Sequence, residues 1–118
     1  MLTECKVCGQ RLLGSHHCKE CGRCTEEFDH HCRYLNNCIG SKNYEKFLRL
    51  LLTNVLFHSN LVGQGTWVFV RALEDDKVSK AIPQTYWVIL GIIAMSGALL
   101  ISIIILLSFH CYISCFLH

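Results

Sequence analysis

Between Cys5 and Cys38 the chain carries eleven side chains that can bind a metal or attack a carbonyl: Cys5, Cys8, His16, His17, Cys18, Cys21, Cys24, His30, His31, Cys32 and Cys38. Two C-x2-C pairs, Cys5 with Cys8 and Cys18 with Cys21, have the spacing with which thiolates clamp a single zinc ion. A closed zinc site takes four ligands. Two sites need eight, and the six cysteines outside Asp29-His30-His31-Cys32 plus one histidine from each adjacent pair supply them. Cys24 and Cys38 are then shared out, one to each site. The count leaves the Cys32 thiol without a metal.

A thiol in that position is a candidate nucleophile. His30, two residues earlier, can take its proton, and Asp29 can orient the imidazole or hold its tautomer. Neighbouring imidazolium and zinc charge favours thiolate near neutral pH. The competing reading makes Cys32 one more ligand of a structural finger.

These residues need elements to hold them. Residues 1–46 contain glycines, charges of both signs and almost no apolar periodicity, so they have no core of their own. Short hairpins and knuckles stapled by structural zinc are the expected form, since the metal supplies on the order of 10 kcal/mol to such peptides. Seven of nine cysteines fall in this segment. Their interleaving with histidines, ahead of apolar spans, points to metal ligation in a reducing, cytosol-facing compartment rather than to disulfides.

At 118 residues there is room for one small domain. The net charge of +2 comes without a block of like charge, which gives no basis for a nucleic-acid partner. No Asp, Glu, Lys or Arg follows Lys80, and that half reads as membrane.

Residues 47–71 are expected to form a first membrane helix, interrupted by Thr53, Asn54, His58, Ser59, Asn60, Gln64 and Thr66. Asn54 with His58, and Asn60 with Gln64, are expected to make a polar stripe facing other helices or a cavity. The alternative is an amphipathic helix lying at the interface. Residues 72–84 read as a charged connecting loop, and 85–113 as a second membrane helix opened by Tyr86 and Trp87. Ala94, Ala98 and Ser102 offer a small-residue packing face. Lys42, Lys46 and Arg49 before the first span favour a cytosolic cysteine-rich segment. Cys111 and Cys115 lie one turn apart at the end of the last helix, outside the zinc count. The expected architecture is a small zinc-stapled irregular and β-hairpin domain followed by two transmembrane α-helices.

Taken together, Cys5-x2-Cys8, His17-Cys18-x2-Cys21-x2-Cys24, Asp29-His30-His31-Cys32, Asn37-Cys38-Ile39-Gly40 and Asn43-x3-Phe47 resemble the cysteine-rich domain of the DHHC family of protein S-acyltransferases. Ser108-Phe109-His110-Cys111-Tyr112 is similar to the end of the family's fourth helix. The resemblance implies one zinc on Cys5, Cys8, His17 and Cys24, and another on Cys18, Cys21, His31 and Cys38. It implies Cys32 as the nucleophile that accepts an acyl group from acyl-CoA, typically palmitoyl-CoA, with His30 as base and Asp29 positioning it. The acyl chain then passes to membrane-proximal cytosolic cysteines of substrate proteins, at a bilayer of the Golgi, ER or plasma membrane.

Where the family has a Lys-Pro-x-Arg element, this chain reads Gly9 to His16 without proline, and Tyr34 stands at the usual tryptophan position. The two helices that precede the domain in the family, and the Thr-Thr-x-Glu element beyond its last span, do not occur in these residues, so a fragment is expected. The rival functional reading is a membrane-anchored two-zinc interaction module, a RING-CH-like ubiquitin ligase or structural adaptor. Against it, a cross-brace finger closes with a further C-x2-C pair, whereas Cys32 and Cys38 are separated by five residues. A catalytically dead relative that keeps zinc for structure is the third.

Overall fold

The computed structural model describes residues 2–74 and 83–116. It divides into two compact units, Met1–Arg49 and Leu50–His118.

The first unit is a chain of three antiparallel hairpins built from three-residue strands. They are β1 (Leu2–Glu4) with β2 (Arg11–Leu13), β3 (His16–Cys18) with β4 (Arg23–Thr25), and β5 (His30–Cys32) with β6 (Asn37–Ile39). Hairpins this short are marginal alone. Little apolar burial supports them: Cys18, Cys32, Cys38, Ile39 and Phe47 are buried, while Leu2, Val7 and Tyr34 lie exposed. The expectation of a cysteine-rich hairpin region without a conventional core agrees with this architecture.

Helix α1 (Tyr44–Glu74) starts where the third hairpin ends. Asn43 is its N-cap residue and ties the two elements together. Its Oδ1 accepts the Gly40 N–H at 2.9 Å, and its Nδ2 donates to the Cys38 carbonyl at 2.9 Å. At Gly40 the chain passes close to the end of β4 and the residues that follow it. A Cβ there would sit 2.5 Å from the Glu26 carbonyl oxygen and 2.8 Å from Thr25 Cγ2.

The second unit holds the rest of α1 and helix α2 (Pro83–Phe116). The Tyr86 hydroxyl donates to the Ala72 carbonyl at 2.7 Å, and the Phe69 and Tyr86 rings meet edge-on at 6.0 Å. Gly65 lets the helices approach, since a Cβ on it would lie 2.9 Å from Ile93 Cγ1.

Among the described residues only α2, over Gln84–Tyr112, is long and apolar enough to cross a membrane. This corrects the expectation of two spans. Segment α1 is helical throughout but too polar. On a helix of 3.6 residues per turn its two polar pairs occupy different sides. Asn54 and His58 are half-buried, whereas Asn60 and Gln64 are exposed, so they form two patches rather than one stripe. Ala94, Ala98 and Ser102 point outward, and the Ser102 hydroxyl returns to its own helix at the Ala98 carbonyl. Most of the charged connector, residues 75–82, lies outside the described residues, as does the side chain of Cys115.

Candidate metal centres and thiol site

Strand pairing brings the ligand-type side chains together. In the second hairpin His17 is opposite Cys24, and in the third His31 is opposite Cys38. Each cross-strand pair is joined by a C-x2-C pair from the preceding turn. Cys5, Cys8, His17 and Cys24 form one group and Cys18, Cys21, His31 and Cys38 another, with ligand atoms all within 4.8 Å of one another.

In the first group the Cys8 and Cys24 sulfurs are 3.1 Å apart, and His17 Nδ1 is 3.6 Å from Cys24 Sγ. In the second, His31 Nδ1 lies 3.4 Å from Cys21, 3.5 Å from Cys18 and 3.8 Å from Cys38. The Cys21 and Cys38 sulfurs are 3.3 Å apart. Disulfide sulfurs sit at about 2.05 Å, and the described cysteines are free. The edge of a tetrahedral zinc–thiolate site is about 3.8 Å, from Zn–S bonds of about 2.3 Å. Three sulfurs and one imidazole nitrogen gathered within 4.8 Å, with sulfurs somewhat closer than that edge, are a donor set that suits such an ion.

Thiol acidities within the groups are split. The Cys8 and Val7 backbone N–H groups, the latter 3.4 Å away, hold the Cys5 thiol down at about 6. The Cys21 N–H does the same for Cys18, lowering its pKa. Proximity to the Cys8 sulfur, followed by burial, pushes Cys24 up to about 12. Burial, followed by the Cys21 sulfur, pushes Cys38 up to about 11. Sulfurs packed this closely cannot all ionise together without a cation between them, which is what a metal supplies.

The adjacent histidines part company by strand alternation. His17 faces the first group, and His16 turns to the other side, where its ring stacks on Phe28 at 4.5 Å. His31 faces the second group. His30 and Cys32 share the opposite face of β5, with the His30 ring edge-on to Phe47 at 5.3 Å and Cys32 buried. The Asp29 Oδ2 lies 3.0 Å from His30 Nδ1. A carboxylate there stabilises the tautomer with hydrogen on Nδ1 and leaves Nε2 able to accept a proton. Cys32 belongs to neither four-residue group.

Two features escaped the sequence reading. One is a structural repeat: His16-His17-Cys18-x5-Cys24 recurs fourteen residues later as His30-His31-Cys32-x5-Cys38, in the same strand register. Each knuckle is followed by a left-handed residue, Gly9 at φ 69°, Gly22 at φ 62° and Asn36 at φ 46°. Cys32 therefore opens a third knuckle whose second cysteine position holds Leu35. Aligning the chain with itself at this offset would have revealed it. The other feature is Glu20, whose Oε2 lies 2.9 Å from His31 Nε2.

A family model described as DHHC palmitoyltransferase matches residues 2–117. The chain belongs to the DHHC palmitoyltransferase family. Among its DHHC-family relatives, palmitoyltransferase ZDHHC15 of Rattus norvegicus is 31% identical over 98 residues, 83% of this chain and 28% of that protein. Palmitoyltransferase ZDHHC8 of Homo sapiens is 34% identical over 94 residues, 80% of this chain and 12% of that protein. For ZDHHC5-A of Danio rerio the identity is 33% over 95 residues, again 80% of this chain and 12% of the relative. The chain thus spans between about an eighth and just over a quarter of the length of these DHHC relatives.

Proposed function

We propose that this chain carries the catalytic centre of a protein S-acyltransferase, with Cys32 as the acyl-accepting nucleophile. The observation that carries the reading is the exclusion of Cys32 from both metal-type groups, on the strand face it shares with the Asp29-supported His30. In this mechanism His30 Nε2 takes the Cys32 proton, and the thiolate attacks the thioester carbonyl of acyl-CoA. The C–S bond to CoA breaks, the acyl–Cys32 bond remains, and the His30 proton goes to the departing CoA thiolate. A substrate-protein cysteine, deprotonated by the same base, attacks the acyl–Cys32 thioester and regenerates the thiol. Exchange between thioesters is nearly balanced in free energy, so the site has mainly to provide thiolate and proximity.

Two zinc ions are assigned a structural role, one held by Cys5, Cys8, His17 and Cys24 and the other by Cys18, Cys21, His31 and Cys38. They supply folding free energy to hairpins that lack a core. The proposed partners are palmitoyl-CoA or a similar acyl-CoA and proteins with membrane-proximal cytosolic cysteines. The apolar α2 supports residence in a bilayer, for which burial of an acyl chain contributes about 0.8 kcal/mol per methylene. The grouping of six cysteines with imidazoles at metal-ligand spacing, which a reducing compartment preserves, supports a cytosolic placement of the hairpin unit on an endomembrane.

The test is incubation of the zinc-loaded protein in membranes with labelled palmitoyl-CoA. A hydroxylamine-sensitive label on Cys32 is expected; its absence from wild-type protein would overturn the assignment.

A further inference from the structure

His31 is held from both sides. Its Nδ1 faces the three sulfurs of the second group at 3.4 to 3.8 Å, and its Nε2 meets the Glu20 carboxylate at 2.9 Å. The imidazole is largely buried, with 12% of its side chain exposed, whereas 55% of the Glu20 side chain is exposed. An imidazole that offers the Nδ1 lone pair to a metal must carry its hydrogen on Nε2, and a carboxylate at that distance accepts it. We infer that Glu20 is a positioning residue for the second metal centre: it fixes the His31 tautomer and ring orientation and makes Nδ1 a stronger donor.

The local fold explains why the acid reaches His31. Glu20 is an inner residue of the Cys18-x2-Cys21 knuckle, whose two sulfurs share a group with His31. A carboxylate on this loop therefore sits just behind the imidazole that the loop's own thiols face. At the equivalent place in the first knuckle, Cys5-x2-Cys8, stands Val7, which has no group to offer His17. The two centres are consequently unequal, and the carboxylate-supported one anchors the hairpin that carries Asp29, His30 and Cys32.

This inference rests on the proposed zinc assignment, and the experiment separates the two. The full protein is purified under reducing conditions, its zinc is counted, and zinc release to a chromogenic chelator is followed for wild type, E20A, E20Q and E45Q. Removing a carboxylate behind a metal-bound histidine typically lowers metal affinity 10- to 100-fold. E20A is expected to release one of its two zinc ions 10- to 100-fold faster, with the other unchanged. E20Q keeps an acceptor oxygen without the charge and is expected to fall between E20A and wild type. E45Q, on the exposed first turn of α1, should match wild type. Wild type holding two zinc ions, with E20A and E20Q releasing both at the wild-type rate, would overturn the role of Glu20 alone. Equal acceleration of both ions would also overturn it, because that is general loosening. A wild-type protein without zinc would overturn the zinc assignment, and this inference with it.

Discussion

The Asp29 carboxylate meets His30 Nδ1 at 3.0 Å on the strand face turned away from the second metal-type group. A substitution there should therefore affect chemistry without loosening metal. Orienting carboxylates and positioned bases contribute on the order of 10²- to 10⁴-fold. D29N is expected to slow acyl loading of Cys32 at least about 10²-fold while zinc content stays at two per chain. Single-turnover labelling paired with metal analysis checks both halves.

Cys32 and Cys38 are both buried thiols of the same hairpin, yet only Cys38 belongs to a four-residue group. C32S is expected to retain both zinc ions and lose the acyl label completely. C38S should retain one ion and lose the label as well, because the β5–β6 hairpin is released. Zinc stoichiometry distinguishes them, and equal zinc loss from both variants would refute the division of labour.

Thiol acidity sets the proton count of metal uptake. The folded-state pKa of Cys5 is lowered from 9.0 to about 6, so its thiolate contributes stability that is present above 9.0 and lost as pH falls through 6. Cys24 is raised from 9.0 to about 12 and Cys38 to about 11, so their contribution is full below 9.0 and lost as pH climbs through those values. Because the hairpins depend on metal for folding, Cys5, Cys24 and Cys38 all start from the unfolded value of 9.0, and each releases a proton on metal uptake at neutral pH. Calorimetric titration of the reduced, metal-free protein in buffers of different ionisation enthalpy should therefore find at least three protons released per chain.

The junction between β6 and α1 depends on close contact. A Gly40→Ala side chain meets the backbone at Glu26, and Asn43→Ala removes both side-chain hydrogen bonds that tie the start of α1 to the third hairpin. Each is expected to cost about 1–3 kcal/mol, read as a lowered thermal midpoint of the zinc-loaded protein.

Helix α2 exposes Ile101 and Ile105 along its length. Ile101→Arg should make insertion about 3–4 kcal/mol less favourable, because the favourable isoleucine contribution is lost as well. A glycosylation-based insertion assay of this segment reads that cost directly.

Much of the candidate site was legible because metal ligation leaves a short-range signature. The C-x2-C pairs and the surplus at Cys32 can be counted from spacing alone. Which histidine of each pair turns toward the sulfurs cannot, since His16 and His17 differ only in the face a three-residue strand gives them. The Glu20 contact depends on the path of a knuckle in space, for which one exposed acid in a charged segment gives no local sign. For α1, length and partial apolarity suggested a span, but two polar patches on different sides take it below what hydrocarbon accepts.

The fourteen-residue repeat has a final consequence. Each knuckle serves the hairpin that follows it, so consecutive metal positions overlap along the chain like courses of roof tiles. The series halts at Cys32, where Leu35 replaces the partner sulfur and α1 takes over from a fourth hairpin. The proposed reactive thiol is then an unclaimed valence at the end of a scaffold. Catalysis would have been gained here by subtraction: an otherwise structural pattern stopped with one thiol in place and its three companion ligands missing.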